Sequence, residues 1–424
     1  MSEANPLSVK SAQALVLARV ARLAVETVAL EAALGRVLAA DVGANRNLPP
    51  CDVSAMDGFA VRSADLAPAP VALTIVEDIR AGDKPLKTLA AGQCARIMTG
   101  APVPAGADAV IRVEDTRPLA GERVEIGRAV SAGNDIRPLG ESMRSGQVVL
   151  TAGTEITPGV VAVLATVKCA QVPVYRRPRM AILATGDELE GLDEPLDPDK
   201  IPNSNSYALM AQAQALGIEP VLLGIARDNA DELADYLRRG LSYDVLLVSG
   251  GSSVGVHDHV RPTLEALGVS MHFWRVEMRP GHPVAFGTTP TGIVFALPGN
   301  PVSSMVCFEQ FVLPAVRQMM GNRRLFRRTL AARLAHPVRI RPGRTEFIRV
   351  VLAREGTKDD AATETPAYRA ASTGNQSSGA LLSMAQADGL LVVPAACGEM
   401  AAGYAATVLL LDGSAFQEQP GFAE

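Results

Sequence analysis

Apolar positions recur along this chain with two different periods, and the changes between them divide it into segments. Ser8 is a plausible N-cap for a first helix, with Ala12, Leu15, Val16, Val20 and Leu23 on one stripe. A second helix is expected near Ala29 to Ala39, before Pro49-Pro50. From there to about Gly140 the pattern is short strands broken by Pro, Gly and Asp, without a long helix. Pro49, Pro50, Pro68 and Pro70 suggest an extended arm with little core of its own. Residues Ser142 to Tyr175 return to mixed character and end in the basic hinge Arg176-Arg177-Pro178-Arg179.

Strand and helix then alternate. Met180 to Ala184, Pro220 to Ala226, Val245 to Val248 and Ile293 to Leu297 read as strands. Ser206 to Leu216, Asp231 to Arg239 and Val260 to Leu267 read as helices, and a long helix follows Pro298-Gly299-Asn300-Pro301 and ends at Gly321. Strands separated by helices imply βαβ units, a parallel sheet and helices on both faces. Ligands in such folds bind outside the carboxyl ends of the strands. After Arg323 strands return around Leu330 to Ile340, Glu346 to Leu352, Leu390 to Val393 and Thr407 to Leu411, with a polar loop at Glu355 to Pro366.

Composition narrows the class. With 424 residues the chain is too long for one core. It is 48% hydrophobic and 20% charged with a net charge of −5, which argues against a general nucleic-acid or membrane-surface binder. No apolar run is long enough to span a bilayer, and charges near the N-terminus interrupt any signal-peptide core. Cys51, Cys94, Cys169, Cys307 and Cys397 are scattered, without a CxxC pair, which points to a reducing cytosol. His257 and His259 lack an evident third ligand and read as loop histidines.

Chemistry gathers at the strand ends. One strand leads into Gly250-Gly251-Ser252-Ser253-Val254-Gly255 and then Asp258. Small residues let backbone N–H groups approach an anion, but a carboxylate just beyond would repel a phosphate. An oxygen-liganded divalent cation such as Mg²⁺ between the two removes the conflict. The other strands end in Thr185-Gly186-Asp187-Glu188, in Ala226-Arg227-Asp228, and in Leu297-Pro298-Gly299-Asn300-Pro301. One acidic strand end is often a helix cap; three on one edge favour a metal and phosphate site. Arg275 and Arg279, stiffened by Pro280 and Pro283, supply cations able to clamp an anion, the bland alternative being surface pairs with neighbours such as Glu277.

The segments Ser54-Ala55-Met56-Asp57-Gly58-Phe59-Ala60-Val61, Ile97-Met98-Thr99-Gly100-Ala101-Pro102-Val103-Pro104, Thr185-Gly186-Asp187-Glu188-Leu189, Ser249-Gly250-Gly251-Ser252-Ser253-Val254-Gly255 and Leu297-Pro298-Gly299-Asn300-Pro301-Val302-Ser303 carry a family resemblance. In order and over nearly the whole chain, it resembles the molybdopterin molybdenumtransferases, the MoeA family, which includes the C-terminal domain of gephyrin. The resemblance implies a multidomain α/β fold. Residues 1–44 with 142–175 would form a linker and dimerisation domain, and 45–141 a β-rich inserted arm. A doubly wound, MogA-like, three-layer molybdopterin-binding domain would span 176–325, and a small β-barrel 326–424.

It further implies an enzyme that inserts molybdenum from molybdate into adenylylated molybdopterin and releases AMP. By analogy Asp187, Glu188, Asp228 and Asp258 would hold Mg²⁺ and help position the pyrophosphate. Gly250, Gly251, Ser252, Ser253, Gly255, Pro298, Gly299, Asn300 and Pro301 would line the substrate, and Arg275, Arg279 and His282 would grip its phosphate and pterin. Arg344 and Ser378 match positions linked to oxyanion binding, as suits molybdate. Asp57 and Thr99 would complete the catalytic site of the neighbouring subunit of a homodimer. Molybdopterin adenylyltransferase and apo-molybdoenzymes would be partners in the cytoplasm.

Three departures stand out. Arg275 and Arg279 occupy positions where lysine is usual, His282 replaces a third lysine, and Ser142 stands where the family commonly has Asp. They leave open a paralogue with altered oxyanion or pterin preference, such as tungstate. A non-catalytic pterin-binding scaffold is a second reading, disfavoured by four carboxylates that mere anion binding does not need. An α/β hydrolase of the competence-protein type is a third, disfavoured by the flanking β-domains.

Overall fold

The computed structural model describes residues 6–67, 69–251, 259–354 and 368–411. Ser8 caps the first helix, Val9–Leu17, by accepting the Ser11 N–H at 3.1 Å. Its buried face, Val9, Ala12 and Val16, packs with Phe308, Phe311 and Val316 in one cluster. The expected second helix does not form. Val25–Ala29 is instead a strand paired antiparallel with Gln171–Tyr175, followed by one 3-10 turn at Leu30–Ala32. Gly35, at φ +73°, turns the chain so that Val37 and Leu38 bridge to Glu155 and Val174. Leu38, Ile156, Leu164 and Val172 fill the small core beneath. Alanines of high helix propensity lost to strand pairing and burial, a common tertiary override.

The arm is more substantial than its prolines suggest. It is a six-stranded sheet in the order Ala109–Arg112, Gly58–Val61, Gln93–Ile97, Val71–Ile79, Arg123–Ile126, Thr116–Leu119. Phe59, Leu73, Ile111 and Ile126 form one apolar cluster; Ala60, Ile79, Ile97 and Val110 form another. Alternate residues of the same strands face each cluster, so the arm has cores on both sides.

The third unit is built on a six-stranded sheet in the order Val221–Ala226, Met180–Thr185, Val245–Ser249, Ile293–Leu297, Ala285–Thr288, Ser270–Phe273. The first four strands are parallel, but the last two run antiparallel. The expectation of a wholly parallel sheet is corrected to a mixed one: the turn around Thr289–Gly292 makes a hairpin that needs no crossover helix. Ile182, Leu247 and Phe295 face a layer with Leu209 and Phe308, while Leu183, Val248 and Val294 face Leu233, Leu237 and Leu264. These are the three layers of a doubly wound domain. The long helix continues from Pro301 to Met319 through a π segment at Phe308–Val312.

The last unit is a sheet in which Thr345–Arg354 pairs with both Tyr368–Ser372 and Gly389–Val393, closing a small barrel. Met278–Arg279, from the basic loop, pairs parallel with its edge, Met278 opposite Thr345 and Arg279 opposite Glu346. The polar loop expected at Glu355 to Pro366 lies outside the described residues.

Candidate functional site

Two of the three expected acidic strand ends fall within the described residues: Asp187 and Glu188 follow strand Met180–Thr185, and Asp228 follows strand Val221–Ala226. Asp187, Glu188 and Asp228 are all exposed. Asp187 Oδ1 accepts the Asp228 backbone N–H at 3.1 Å, which ties the first two strand ends together. Arg227, unremarked in the sequence, holds the acidic turn in shape: its guanidinium donates to the carbonyls of Leu189 at 2.8 Å and of Gly186 and Asp187 at 3.5 Å. Among the described residues no group of three possible ligands converges tightly enough to hold a metal by itself. Asp258, the fourth expected ligand, lies outside the described residues, as do Ser252, Ser253 and Gly255. The oxygen-only donor set suits Mg²⁺ in kind.

Gly250 begins the Gly/Ser segment and its N–H donates to the Leu297 carbonyl at 3.1 Å. With φ +101° and a virtual Cβ only 2.3 Å from the Thr185 carbonyl oxygen, no other residue fits there. Across the strand ends, Asn205 Nδ2 donates to Ser249 Oγ and to the Gly299 carbonyl, each at 2.8 Å. Asn205 therefore fixes the spacing of two strand-end loops. It sits in the first turn of helix Ser204–Gln214, which Asn203 caps through Ser206. The cluster Asn203-Ser204-Asn205 was the available signal for both roles.

Pro298 is buried, whereas Gly299 and Asn300 are exposed at the start of helix Pro301–Cys307. That helix meets both other parts of the expected site. At its start the Val302 N–H donates to the Ser378 carbonyl at 3.2 Å. At its end the buried Cys307 thiol donates to the Gly281 carbonyl at 3.6 Å, in the basic loop. The Asn375–Ser378 turn is in turn held by Arg349, which is 1% exposed. Its guanidinium donates to the carbonyls of Ser377 at 2.9 Å and Asn375 at 3.2 Å and to Ser383 Oγ at 3.0 Å. No carboxylate among the described residues neutralises it, and burial pushes its pKa down. Nothing in the barrel's alternating pattern marked this arginine as buried.

Arg279 is exposed and lies 3.4 Å from Glu346, its partner across the strand pairing, rather than against Glu277. Arg344, two residues before Glu346, is exposed at the same barrel edge. Arg275 is half-buried, and its carbonyl accepts the Leu7 N–H at 3.3 Å. His282 Nδ1 lies 2.7 Å from the Val276 carbonyl, a contact that requires the proton on Nδ1.

Asp57 and Thr99 are joined to each other in the arm, where Asp57 Oδ1 accepts both the N–H and the hydroxyl of Thr99. Those two hydrogen bonds, the backbone one first, hold the exposed Asp57 carboxyl below its ordinary value. No hydrogen bond or ion pair among the described residues links this pair to the strand ends.

A mixed sheet with acidic strand ends, a cationic loop laid on a small barrel, and a turn from that barrel meeting one helix together make a multidomain α/β protein. Family models match along the chain in order: MoeA N-terminal region (domain I and II) at residues 7–167, a probable molybdopterin binding domain at 181–318, and MoeA C-terminal region (domain IV) at 331–411. The chain belongs to the MoeA family. A Nostoc protein named molybdopterin molybdenumtransferase is 43% identical over 304 residues, 70% of each chain. A Staphylococcus aureus (strain Mu50) protein of that name is 33% identical over 98% of both chains. The crystal structure of the molybdopterin biosynthesis MoeA protein of Pyrococcus horikoshii OT3 covers 96% of this chain and 100% of its own, with a TM-score of 0.81 at 28% identity.

Proposed function

We propose that this chain is a molybdopterin molybdenumtransferase, taking adenylylated molybdopterin and molybdate, inserting molybdenum into the dithiolene and releasing AMP. The observation that carries this reading is the helix Pro301–Cys307. Ser378 lies against its first turn and Gly281 of the basic loop against its last residue. The helix that follows strand Ile293–Leu297 is thus tied to two segments distant in sequence, each carrying groups suited to an anion.

In this reading Gly251 and the Ser252–Gly255 segment would offer backbone N–H groups to the substrate's phosphate, Gly250, whose own N–H is held by Leu297, would make the turn beside it, and Pro298 to Pro301 would form the opposite wall. Arg275 and Arg279 would hold the substrate's phosphate, and His282, whose Nδ1–H is held by the Val276 carbonyl, would meet the pterin with Nε2 as an acceptor. Arg344 and the Ser378 hydroxyl receive molybdate. Asp187, Glu188, Asp228 and Asp258 would hold Mg²⁺, which when bound would neutralise charge developing on the departing AMP phosphate. Asp57, with Oδ1 occupied by Thr99, keeps Oδ2 free for a ligand in the partner subunit's site of a homodimer. Arginine at 275 and 279, where the family usually has lysine, keeps the cationic character of this loop and adds a planar fork. Molybdopterin adenylyltransferase would supply the substrate and apo-molybdoenzymes take the product. All five cysteines are free, as suits a reducing cytoplasm.

The test is to incubate purified protein with adenylylated molybdopterin, Mg²⁺ and molybdate, and to assay AMP release and reconstitution of an apo-molybdoenzyme. Both are expected, with loss of AMP release on chelation. Tight binding of the pterin without AMP release would support the scaffold reading, and a preference for tungstate would support the paralogue.

A further inference from the structure

We propose a second anion site, separate from the strand ends, for a small phosphorylated molecule with a planar apolar portion. It is a cleft of about 560 Å³ where residues 153–157, the end of the long helix and the 322–328 segment meet. That volume is ordinary for a small-molecule site. None of the residues lining it belongs to the strand-end site.

Five arginines line the cleft: Arg317, Arg323, Arg324, Arg327 and Arg328. Arg317 is paired with Glu155 at 2.9 Å and Arg327 with Glu309 at 2.8 Å. Five guanidiniums less two carboxylates leave three positive charges in a chain whose net charge is −5. Arg324 and Arg328 have no side-chain hydrogen bond or ion pair with any described residue, and Arg323 donates to the Ala152 carbonyl. Like charges this close repel, and a bound polyanion relieves that repulsion.

Arginines waving in solvent are the plain alternative, and the backbone argues against it. Arg317 Nε donates to the Arg324 carbonyl at 2.7 Å and its Nη2 to Asn322 Oδ1 at 3.1 Å. Arg323 lies directly on Gly153, where an added Cβ would come within 2.7 Å of Nε. The segment presenting Arg323, Arg324 and Arg328 is therefore fixed from two walls. Phe326, between them in sequence and also lining the cleft, is 50% exposed. Planar forks suit phosphate oxygens, and an exposed ring beside them suits a flat organic body such as a nucleobase. A nucleotide and inorganic oligophosphate share the anionic chemistry; the ring distinguishes them.

The experiment is calorimetry on the full chain with ADP and, separately, with inorganic pyrophosphate, comparing wild type, Arg324→Gln/Arg328→Gln and Phe326→Ala. The strand-end site is intact in all three proteins, so its contribution cancels. Losing two charge-assisted contacts should weaken the second site at least about tenfold for both probes. Phe326→Ala should weaken ADP severalfold and leave pyrophosphate unchanged. Superimposable isotherms for wild type and the double variant would overturn the site. Loss with the double variant but no effect of Phe326→Ala would overturn the planar portion and leave an inorganic anion as ligand.

Discussion

Thr99 donates both its backbone N–H, at 2.7 Å, and its hydroxyl, at 2.8 Å, to one oxygen of Asp57. Both bonds favour the carboxylate and lower the Asp57 pKa from 3.8. If Asp57 acts ionised, activity falls on the acid side as it protonates. Thr99→Val removes the hydroxyl bond and leaves the N–H one, so the pKa rises part of the way back. The acid limb of kcat/KM should therefore move to higher pH, with the neutral plateau less affected. A limb that stays in place in Thr99→Val shows that Asp57 is not the group titrating there.

The arm has apolar clusters of its own, so replacing Asp57 should leave it folded. If each arm serves the other subunit, Asp57→Ala and Asp187→Ala homodimers should both be inactive. A mixed dimer then carries both lesions in one site and neither in the other, and should recover about half of wild-type activity. Isolated mixed dimers without recovery would return Asp57 to its own chain's site.

If Arg279 grips the substrate as proposed, it must leave Glu346. The pair is 3.4 Å apart and Arg279 is 67% exposed, so the exchange costs little, on the order of 0.2–1 kcal/mol. Glu346→Gln should then tighten binding of the adenylylated pterin by up to about fivefold, whereas Arg279→Ala should weaken it by about 1.5–3 kcal/mol. Both effects should shrink as salt rises. Calorimetry at low ionic strength giving one affinity for all three proteins would mark Arg279 as a surface residue.

The strand–helix alternation from Met180 to Gly321 was legible because buried parallel strands read as apolar runs, and the loops after them carry chemistry in a compact motif. What escaped was set by contacts between distant segments. Arg227 and Asn205 act by bridging loops, and Arg349 became a buried cation only because the Asn375–Ser377 carbonyls turn toward it. The helix expected at Ala29 to Ala39 failed for a related reason: Gln171–Tyr175, far along the chain, offered a strand partner. The antiparallel strands Ser270–Phe273 and Ala285–Thr288 were passed over because each is only four residues long.

The basic hinge supplies a prediction about acid stability. Arg176 meets both oxygens of Asp244, at 2.6 and 2.9 Å, and the Arg179 N–H donates to Oδ2 at 2.7 Å. Asp244 is 3% exposed, and burial alone would raise its pKa. The hydrogen bonds from Arg176 and Arg179, with the Arg176 charge, outweigh that and bring it to about 2 from 3.8. A carboxyl lowered in the folded state stabilises fully above its unfolded pKa, and the benefit fades as pH falls toward about 2. The difference corresponds to about 2 kcal/mol at neutral pH. Arg176→Ala removes its share of that shift and leaves the Arg179 contacts, so it should lower the unfolding free energy of the α/β unit by part of that amount, about 1 kcal/mol, at pH 7. At pH 2.5, where Asp244 is partly protonated even in wild type, the two proteins should draw together. Urea unfolding at both pH values measures this; a gap that stays constant between them would mean that Arg176 acts through packing and not through the Asp244 charge.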